Sequence, residues 1–398
     1  MKVLMIAPQP FFEPRGTPFS VLYRLYALSE LGHKIDLVTY PIGQDIKIKN
    51  VTIYRTIRIP FIRRIEVGPS KTKILFDIFI ILKAIRLLIK NRYDVIHSHE
   101  EAGFFSNWLS KVFRLRHIYD MHSSLPQQLQ NFKFTSSKLL INYFNKLEKR
   151  TINNADAVIT ICPELFNYVE EICLGKNHVL IENVAGDDSV FGDDKKADLD
   201  IFNQYELNNN LKILYAGTFE PYQGLKLLIK SAKTVVEDHK DVLFILVGGN
   251  PKQVNEYKAI VNSNNLSAYF IFTGQVWPNL VPKFIDLADI LVSPRIEGNN
   301  TPLKVYSYLR SGKPIVATRH ITHTQVLNDE VAVLTECEAV SFAKGIIKLI
   351  KDKKMRRTIA EKAQKLADER YSYSVYLKKT EEVYSMLERK QSRAMETN

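Results

Sequence analysis

Apolar runs and amphipathic stretches alternate along almost the whole chain. The apolar runs at 2–7 and 35–39 have the length of buried strands, and the stretch 19–31 between them has a helical period. The alternation starts again at residue 211, and a helical pattern then runs from 339 to the end. Strands that alternate with helices are typical of parallel sheets. The pattern therefore predicts an α/β protein.

One stretch, 187–210, interrupts this alternation with polar and acidic residues. A chain of 398 residues is also too long for one ordinary core. We therefore predict two Rossmann-like, doubly wound domains at 1–186 and 211–370, joined by that linker. A helical segment at 371–398 follows, and we take the first domain as its packing partner. Ligands of such sheets bind beyond the carboxyl ends of the strands, which favours a cleft between the two domains.

Two loops that follow predicted strands have a pattern that favours anions. In each, a threonine precedes a proline at the predicted start of a helix: Thr17 in the first domain and Thr301, before Pro302, in the second. The free N–H groups of a helix start attract anions. Lys304 would oppose the helix dipole unless an anionic ligand lies there. The sequence thus predicts a phosphate site at Thr301–Lys304, although an ordinary strand–turn–helix connection with a solvated lysine has the same pattern.

The charge distribution suggests an anionic partner. The formal net charge is +12, and the range 55–92 contains ten Lys or Arg but only two acids, Glu66 and Asp77. The apolar helix predicted at 74–90 is interrupted by charged residues, so it is either a buried domain helix or a face that rests on an anionic membrane. No nucleic-acid motif accompanies the basic residues, and we expect no nucleic acid as a partner.

The N-terminus and the cysteines bear on location. The first residues contain an apolar run too short for a signal peptide, and the three cysteines have no metal-ligand spacing. We therefore expect a cytoplasmic protein, either free or peripheral on the inner face of a membrane.

Several motifs, taken in order and spacing, carry a family resemblance over nearly the whole chain. They are Gly16-Thr17, Tyr119-Asp120-Met121-His122, Asp156-Ala157-Val158-Ile159-Thr160, Leu214-Tyr215-Ala216-Gly217-Thr218-Phe219, Leu246-Val247-Gly248-Gly249, Ser293-Pro294-Arg295-Ile296-Glu297-Gly298, Pro302-Leu303-Lys304 and Ser311-Gly312-Lys313-Pro314-Ile315-Val316-Ala317-Thr318. In these the chain resembles the GT-B glycosyltransferases, specifically the retaining family 4. The resemblance implies transfer of a sugar from a nucleotide diphosphate sugar to a glycan or lipid-linked acceptor, with no metal and no other cofactor.

The resemblance also implies roles for individual residues. His122 matches the histidine that faces the sugar, and Glu297 would hold sugar hydroxyls; we take both as catalytic. The donor-binding residues would lie mainly on the second domain, and the full set is Gly16, Thr17, Gly217, Thr218, Arg295, Asn300, Thr301, Pro302, Leu303, Lys304 and Ser307.

The chain departs from the family pattern at three places. Ser307 stands where the second family glutamate is expected, once Asn299 and Asn300 are taken as an insertion. Thr218 and Gln223 stand where the family has basic residues that hold the diphosphate, and Ile321-Thr322 replaces a glycine pair. These departures leave two other classes open: a sugar-nucleotide epimerase or hydrolase of the same fold, and a non-catalytic binding protein.

Other candidate sites have less support. Asp198 and Asp200 have the spacing of a metal-binding acid pair but fall in the predicted linker. His320 and His323 lack a visible third ligand, so we predict no metal there. His97 and His99 end a predicted strand, where contact with the acceptor and a structural role are equally compatible with the sequence.

Overall fold

The structure, a computed structural model, describes residues 1–13, 16–62, 65, 70–131, 137–184 and 210–396. Its contacts divide the chain into two units, residues 1–183 with 374–398, and residues 184–373. The predicted linker at 187–210 lies outside the described residues except for its last residue, and so does the acid pair Asp198 and Asp200.

The first unit is built from strands and helices that alternate along the chain. Its strands are β1 (Lys2–Ala7), β2 (Lys34–Thr39), β3 (Val51–Arg55), β4 (Val95–His99), β5 (Arg116–Met121), β6 (Ala157–Thr160) and β7 (His178–Leu180). Its helices before residue 184 are α1 (Gly16–Glu30), α2 (Lys71–Lys90), α3 (Ala102–Phe113), α4 (Leu125–Asn131), α5 (Lys138–Asn154) and α6 (Pro163–Ile172).

All seven strands are parallel, in the order β3-β2-β1-β4-β5-β6-β7. The order reverses between β1 and β4, which are adjacent although four elements separate them in the chain. Val3–Ala7 of β1 is completely buried because helices cover both faces of the sheet. The carboxyl ends of β1 and β4 therefore form the topological switch point at which ligands bind in doubly wound sheets.

The second unit repeats this construction. Its strands are β8 (Leu211–Ala216), β9 (Val242–Val247), β10 (Phe270–Gly274), β11 (Ile290–Ser293), β12 (Ile315–Thr318) and β13 (Val333–Thr335). Its helices are α7 (Leu225–Asp238), α8 (Pro251–Ser263), α9 (Val281–Leu287), α10 (Leu303–Arg310), α11 (Ile321–Thr324), α12 (Ala339–Lys351) and α13 (Lys353–Arg370), with single 3₁₀ turns at Pro221–Gln223, Ser267–Tyr269 and Pro278–Leu280.

The second sheet is also parallel, in the order β10-β9-β8-β11-β12-β13. Its switch point lies between β8 and β11, and two apolar clusters cover its two faces. The predicted α/β class with two doubly wound sheets is confirmed.

The last helix, α14 (Tyr373–Glu396), returns the chain to the first unit from Ser374 onwards. Its residues Tyr376, Thr380 and Tyr384 are buried there. Their four-residue spacing puts them on one face of the helix, and that face contributes polar groups to the interior of the first unit.

The helix α2 is apolar on two faces. Phe76, Ile80 and Ala84 are fully buried in the core of the first unit. Ile78 and Leu82, on the opposite face, are at least half exposed. The interpretation of this segment as a buried domain helix is thus correct for one face of α2 only. No helix among the described residues has the length and apolar character needed to cross a bilayer.

Candidate active site

Two loops at the switch point of the second sheet bring together predicted donor-binding residues of the second unit. Gly217 and Thr218 follow β8, and Arg295 comes two residues after the end of the neighbouring strand β11. Gly217 has φ +150, and a Cβ there would lie 2.8 Å from the Lys304 Nζ atom. A side chain at 217 would therefore displace the lysine, so the glycine leaves room for Lys304 at this loop.

Lys304, on the first turn of α10, reaches back to this loop. Its Nζ atom lies 3.6 Å from the centroid of the Tyr215 ring and donates a hydrogen bond to Gln223 Oε1 at 3.2 Å. Both contacts hold the ammonium group beside the Gly217 loop, and neither neutralises its charge. Burial, and then the nearby Arg295, lower the pKa of Lys304 well below its usual range.

Arg295 provides the second cation of this cluster. Its guanidinium lies 5.0 Å from the ring centroid of Tyr222, and its Nε donates to the Glu297 carbonyl at 2.8 Å. Burial lowers the pKa of Arg295 as well. Within the part of the chain that the structure describes, no carboxylate lies within ion-pair distance of Arg295 or Lys304. Two half-buried cations without an acid form a site that an anion would stabilise.

The start of α10 differs from the prediction. The helix begins at Leu303 with Pro302 as its N-cap, so Thr301 does not cap it and Pro302 is not its first helical residue. The reason is the backbone of Pro302, whose ψ of 134° is extended and excludes it from the helix. Thr301 is buried, and its Oγ1 atom has no hydrogen-bond partner among the described residues. That hydroxyl is thus available to a ligand at the same loop.

The remaining residues of this loop lie close in sequence but differ in exposure. Asn300, Leu303 and Ser307 are half-buried, and Ser307 lies one turn further along α10 than Lys304. Glu297 is exposed, and its backbone carbonyl rather than its carboxylate contacts Arg295. Its proposed contact with sugar hydroxyls stays a prediction.

Thr218 and Gln223, which stand where the family has two basic residues, lie inside the same cluster. The exposed Thr218 accepts a hydrogen bond on its carbonyl from the Tyr215 hydroxyl at 2.6 Å. Gln223 is buried, and its amide nitrogen lies 3.5 Å from Thr218 Oγ1 while its oxygen holds Lys304. Polar groups therefore replace the two family cations, and one of them orients the lysine that remains.

In the first unit, the loop after β1 also differs from its predicted form. The helix α1 begins at Gly16, so Thr17 lies inside its first turn instead of capping it. Gly16 has φ +39, which glycine adopts without strain, and the helix begins two residues before Pro18, the predicted first helical residue. Thr17 Oγ1 donates to Glu100 Oε1 at 3.4 Å, which links the loop after β1 to the end of β4 across the switch point.

His122 belongs to a buried cluster of polar side chains at the carboxyl ends of β4 and β5. Its Nε2 atom lies 2.9 Å from His99 Nδ1 and 3.3 Å from Asp120 Oδ1. The other Asp120 oxygen lies 3.2 Å from His97 Nε2. All four side chains are at most 3% exposed. Burial lowers the pKa values of His97 and His99, which keeps these two imidazoles neutral near pH 7.

Sequence reasoning missed the cation at the centre of this cluster. Arg24, on α1 and 2% exposed, donates from Nε to Asp120 Oδ2 at 3.1 Å and from a terminal nitrogen to Thr380 Oγ1 at 2.8 Å. Burial acts to raise the pKa of Asp120, but Arg24 and then the histidines hold it well below its usual range. One feature of the sequence indicated this buried cation: Arg24 is a charged residue on the apolar face of the predicted first helix.

The histidines near the Ile321-Thr322 departure have structural partners. The His323 ring is fully buried, 2.8 Å from Ser293 Oγ and 3.0 Å from Thr318 Oγ1. Burial lowers its pKa to about 3. His320 caps α11 by accepting from the Thr322 N–H. The pair thus ties α11 to the ends of β11 and β12.

Among the described residues, the one group of three that could hold a metal is His97, His99 and Asp120.

Two family descriptions match the chain, and together they span most of it. Residues 15–181 match Glycosyltransferase Family 4, and residues 198–366 match Glycosyl transferases group 1. A phosphatidyl-myo-inositol mannosyltransferase from Mycobacterium leprae is 24% identical over 392 residues, which is 96% of each chain.

Solved structures show the same fold. Sucrose-phosphate synthase from Thermosynechococcus elongatus superposes with a TM-score of 0.75, at 18% identity over 97% of this chain and 98% of that one. HepE from Anabaena, solved with UDP-glucose, superposes with a TM-score of 0.70, at 18% identity over 97% and 99% of the two chains.

The two descriptions match the first and the second unit in turn, and the neighbours share both sheets over nearly their whole length. The chain belongs to the GT-B glycosyltransferases related to family 4.

Proposed function

We propose that this glycosyltransferase binds the diphosphate of a nucleotide sugar in the second unit. The observation that carries the proposal is the pair of half-buried cations, Lys304 and Arg295, beside the Gly217 loop without a carboxylate partner among the described residues. A diphosphate would supply the missing negative charge. The Thr301 hydroxyl and the first N–H groups of α10 add neutral donors to the same loop.

The solved neighbours support this choice of donor. HepE from Anabaena was solved with UDP and with UDP-glucose. Its fold is that of the present chain. The cluster of Lys304 and Arg295 beside the Gly217 loop lies at the switch point where such sheets bind ligands. A nucleotide diphosphate sugar is therefore the donor class that we propose, without a choice of base or sugar.

The chemistry that we propose needs no metal. As the glycosidic bond to the diphosphate breaks, negative charge grows on the leaving group, and the two cations stabilise it electrostatically. Positive charge grows at the sugar carbon, and His122 would steady it through a hydrogen bond. We propose that the transfer retains the anomeric configuration, as the family does.

We propose further that the acceptor is a lipid or a lipid-linked glycan at an anionic membrane surface. The exposed face of α2 presents Ile74, Ile78, Leu82 and Ile89, which are between 50% and 72% exposed. Arg86 and Lys90 are exposed along the edge of the same face. Such a face suits an interfacial helix that lies on anionic lipid. The mycobacterial relative is named for a phosphatidyl-myo-inositol, which is a lipid, and this supports the proposal of a lipid acceptor.

A donor panel tests the proposed activity. We expect release of nucleoside diphosphate from at least one of UDP-glucose, UDP-N-acetylglucosamine, GDP-mannose and ADP-glucose, and faster release when phosphatidylinositol vesicles or short glycans are added. Phosphate assays coupled to diphosphate release would measure both rates. Release that no acceptor accelerates would indicate a hydrolase or epimerase, and a protein that binds the nucleotide without any release would be non-catalytic.

Vesicle flotation tests the membrane surface. Wild-type protein should float with vesicles that contain about a third anionic lipid and should lose this binding at high salt, because the Debye length shortens. The double variant Arg86→Glu, Lys90→Glu should bind on the order of tenfold or more weakly, at about 1 kcal/mol for each basic residue. The double variant Ile78→Ser, Leu82→Ser should also bind more weakly.

The matched control makes the same charge change on the second unit. Lys344→Glu with Lys348→Glu alters two exposed lysines of α12 and should leave flotation unchanged. If wild-type protein stays in the soluble fraction at low salt, the membrane proposal is wrong and a soluble glycan becomes the better acceptor.

A further inference from the structure

The last helix of the chain supplies polar groups to the histidine cluster of the first unit. Tyr376, Thr380 and Tyr384 are at most 5% exposed and lie on one face of α14. The Arg24 guanidinium lies 4.9 Å from the Tyr376 ring centroid and donates to the Thr380 hydroxyl. The Tyr384 hydroxyl lies 2.8 Å from His97 Nδ1. A segment about 290 residues distant in sequence thus reaches the carboxyl end of β4.

The proton positions in this chain of contacts follow from charge. Asp120 is flanked by Arg24, so its carboxylate is ionised and can only accept hydrogen bonds. The proton between His97 Nε2 and Asp120 Oδ2, which are 3.2 Å apart, must therefore be carried by the histidine. Because burial keeps His97 neutral, its Nδ1 atom carries a lone pair and accepts from the Tyr384 hydroxyl.

We infer that Tyr384 is a positioning residue for the transfer step: its hydroxyl holds the His97 ring by donating to Nδ1, His97 holds Asp120, and Asp120 with His99 orients His122. The inference rests on the proposed function because it takes His122 as the group that acts in transfer. Each link is a contact of 3.3 Å or less between side chains that are at most 3% exposed.

Loss of the Tyr384 hydroxyl would change the chemistry at His97. The ionised Asp120 still keeps the His97 proton on Nε2, but without a partner at Nδ1 the ring is free to turn away from the carboxylate. The ring can also take a second proton at Nδ1, and the resulting imidazolium would compete with His122 for Asp120. In either case His122 loses its fixed orientation, and protonation of His97 begins at higher pH because the hydrogen bond that stabilised the neutral ring is lost.

Other titratable groups near His97 set the background for a pH experiment. The charged and titratable side chains that face it or its immediate partners are Arg24 from α1, His33 against the Tyr384 ring, His99 on β4, His117 and Asp120 on β5, His122 after β5, and Tyr376 and Tyr384 on α14. Tyr384→Phe removes one hydroxyl and leaves all the others in place.

The experiment compares Tyr384→Phe with wild type in two measurements. Long-range ¹H–¹⁵N NMR spectra of ¹⁵N-histidine protein at pH 7.5, with His97 assigned from a His97→Gln variant, should show the Nε2–H tautomer in both proteins and, in Tyr384→Phe, an Nδ1 resonance moved to that of a ring nitrogen without a hydrogen bond. The turnover number, with whichever of UDP-glucose, UDP-N-acetylglucosamine, GDP-mannose and ADP-glucose is used fastest, should fall roughly three- to tenfold. The donor KM should not change, and the acid limb of the pH profile should move to higher pH.

The matched control and the contrary outcomes are defined by the same two measurements. Tyr143→Phe removes the hydroxyl of an exposed tyrosine on α5 and should change neither. Unchanged His97 shifts in Tyr384→Phe would overturn the inference, and so would a loss of turnover with the wild-type acid limb, which would indicate packing alone. If His122→Ala leaves turnover unchanged, the proposed role of His122 fails, while the NMR measurement still decides whether Tyr384 fixes His97.

Discussion

Replacing Lys304 by alanine should weaken binding of the nucleoside diphosphate about 10- to 150-fold. A hydrogen bond to a charged group contributes roughly 1.5–3 kcal/mol, and each 1.4 kcal/mol is tenfold in affinity. Lys304 is one of two cations at the Gly217 loop, and Thr218 and Gln223 supply no charge there. The lysine therefore carries a larger share of the binding than in a site with four cations.

Isothermal titration calorimetry with UDP, GDP and ADP measures this loss. Lys304→Met keeps the length and loses the charge, so it should resemble Lys304→Ala if charge is the cause. Lys313→Ala is the matched control, because it removes a half-buried lysine whose Nζ donates to the Asp286 carbonyl. Equal affinity of Lys304→Ala and wild type would remove Lys304 from the donor site.

Much of the fold was accessible from the sequence because it depends on local patterns. Buried parallel strands are continuous apolar runs, such as the one that became β9, and the helices between them have a clear period. The positions of Gly217, Arg295 and Lys304 at one switch point also followed, since each comes directly after a predicted strand or begins the next helix. These features need only residues that are near one another in the chain.

The features that the sequence did not predict depend on contacts between distant segments of the chain. Arg24 meets Asp120 and Thr380, which are 96 and 356 residues away in sequence, so no local pattern pairs them. The start of α10 was predicted one residue early because capping preferences are average tendencies, and the extended backbone of Pro302 decided the outcome here. A buried network is assembled by tertiary structure, and a single sequence contains its members without their pairing.

The asymmetry between the two candidate clusters suggests a division of labour. The cluster at Lys304 has excess positive charge and a Thr301 hydroxyl with no hydrogen-bond partner in the described part of the chain, which are the properties of a binding site for an anion. The cluster at His122 is a set of close polar contacts around an ionised Asp120, and these contacts hold its groups in fixed orientations. Rigid, preorganised groups contribute mainly to the rate of a reaction and less to the affinity for a ground state.

Replacing His122 by alanine should therefore lower turnover on the order of a hundredfold while nucleotide affinity changes by less than about threefold. Removing one preorganised donor from a transition state costs roughly 10²–10³ in rate, and a group that acts only there does not affect ground-state binding. Steady-state kinetics with the best donor of the panel, together with calorimetry, separates the two effects. His122→Gln, which keeps a hydrogen-bonding amide, should recover part of the rate, and His239→Ala, on the exposed end of α7, should behave as wild type. Thermal melts check that the buried substitution leaves the fold intact. A large loss of nucleotide affinity with normal turnover at saturation would contradict the assignment and place His122 in the binding of the nucleotide.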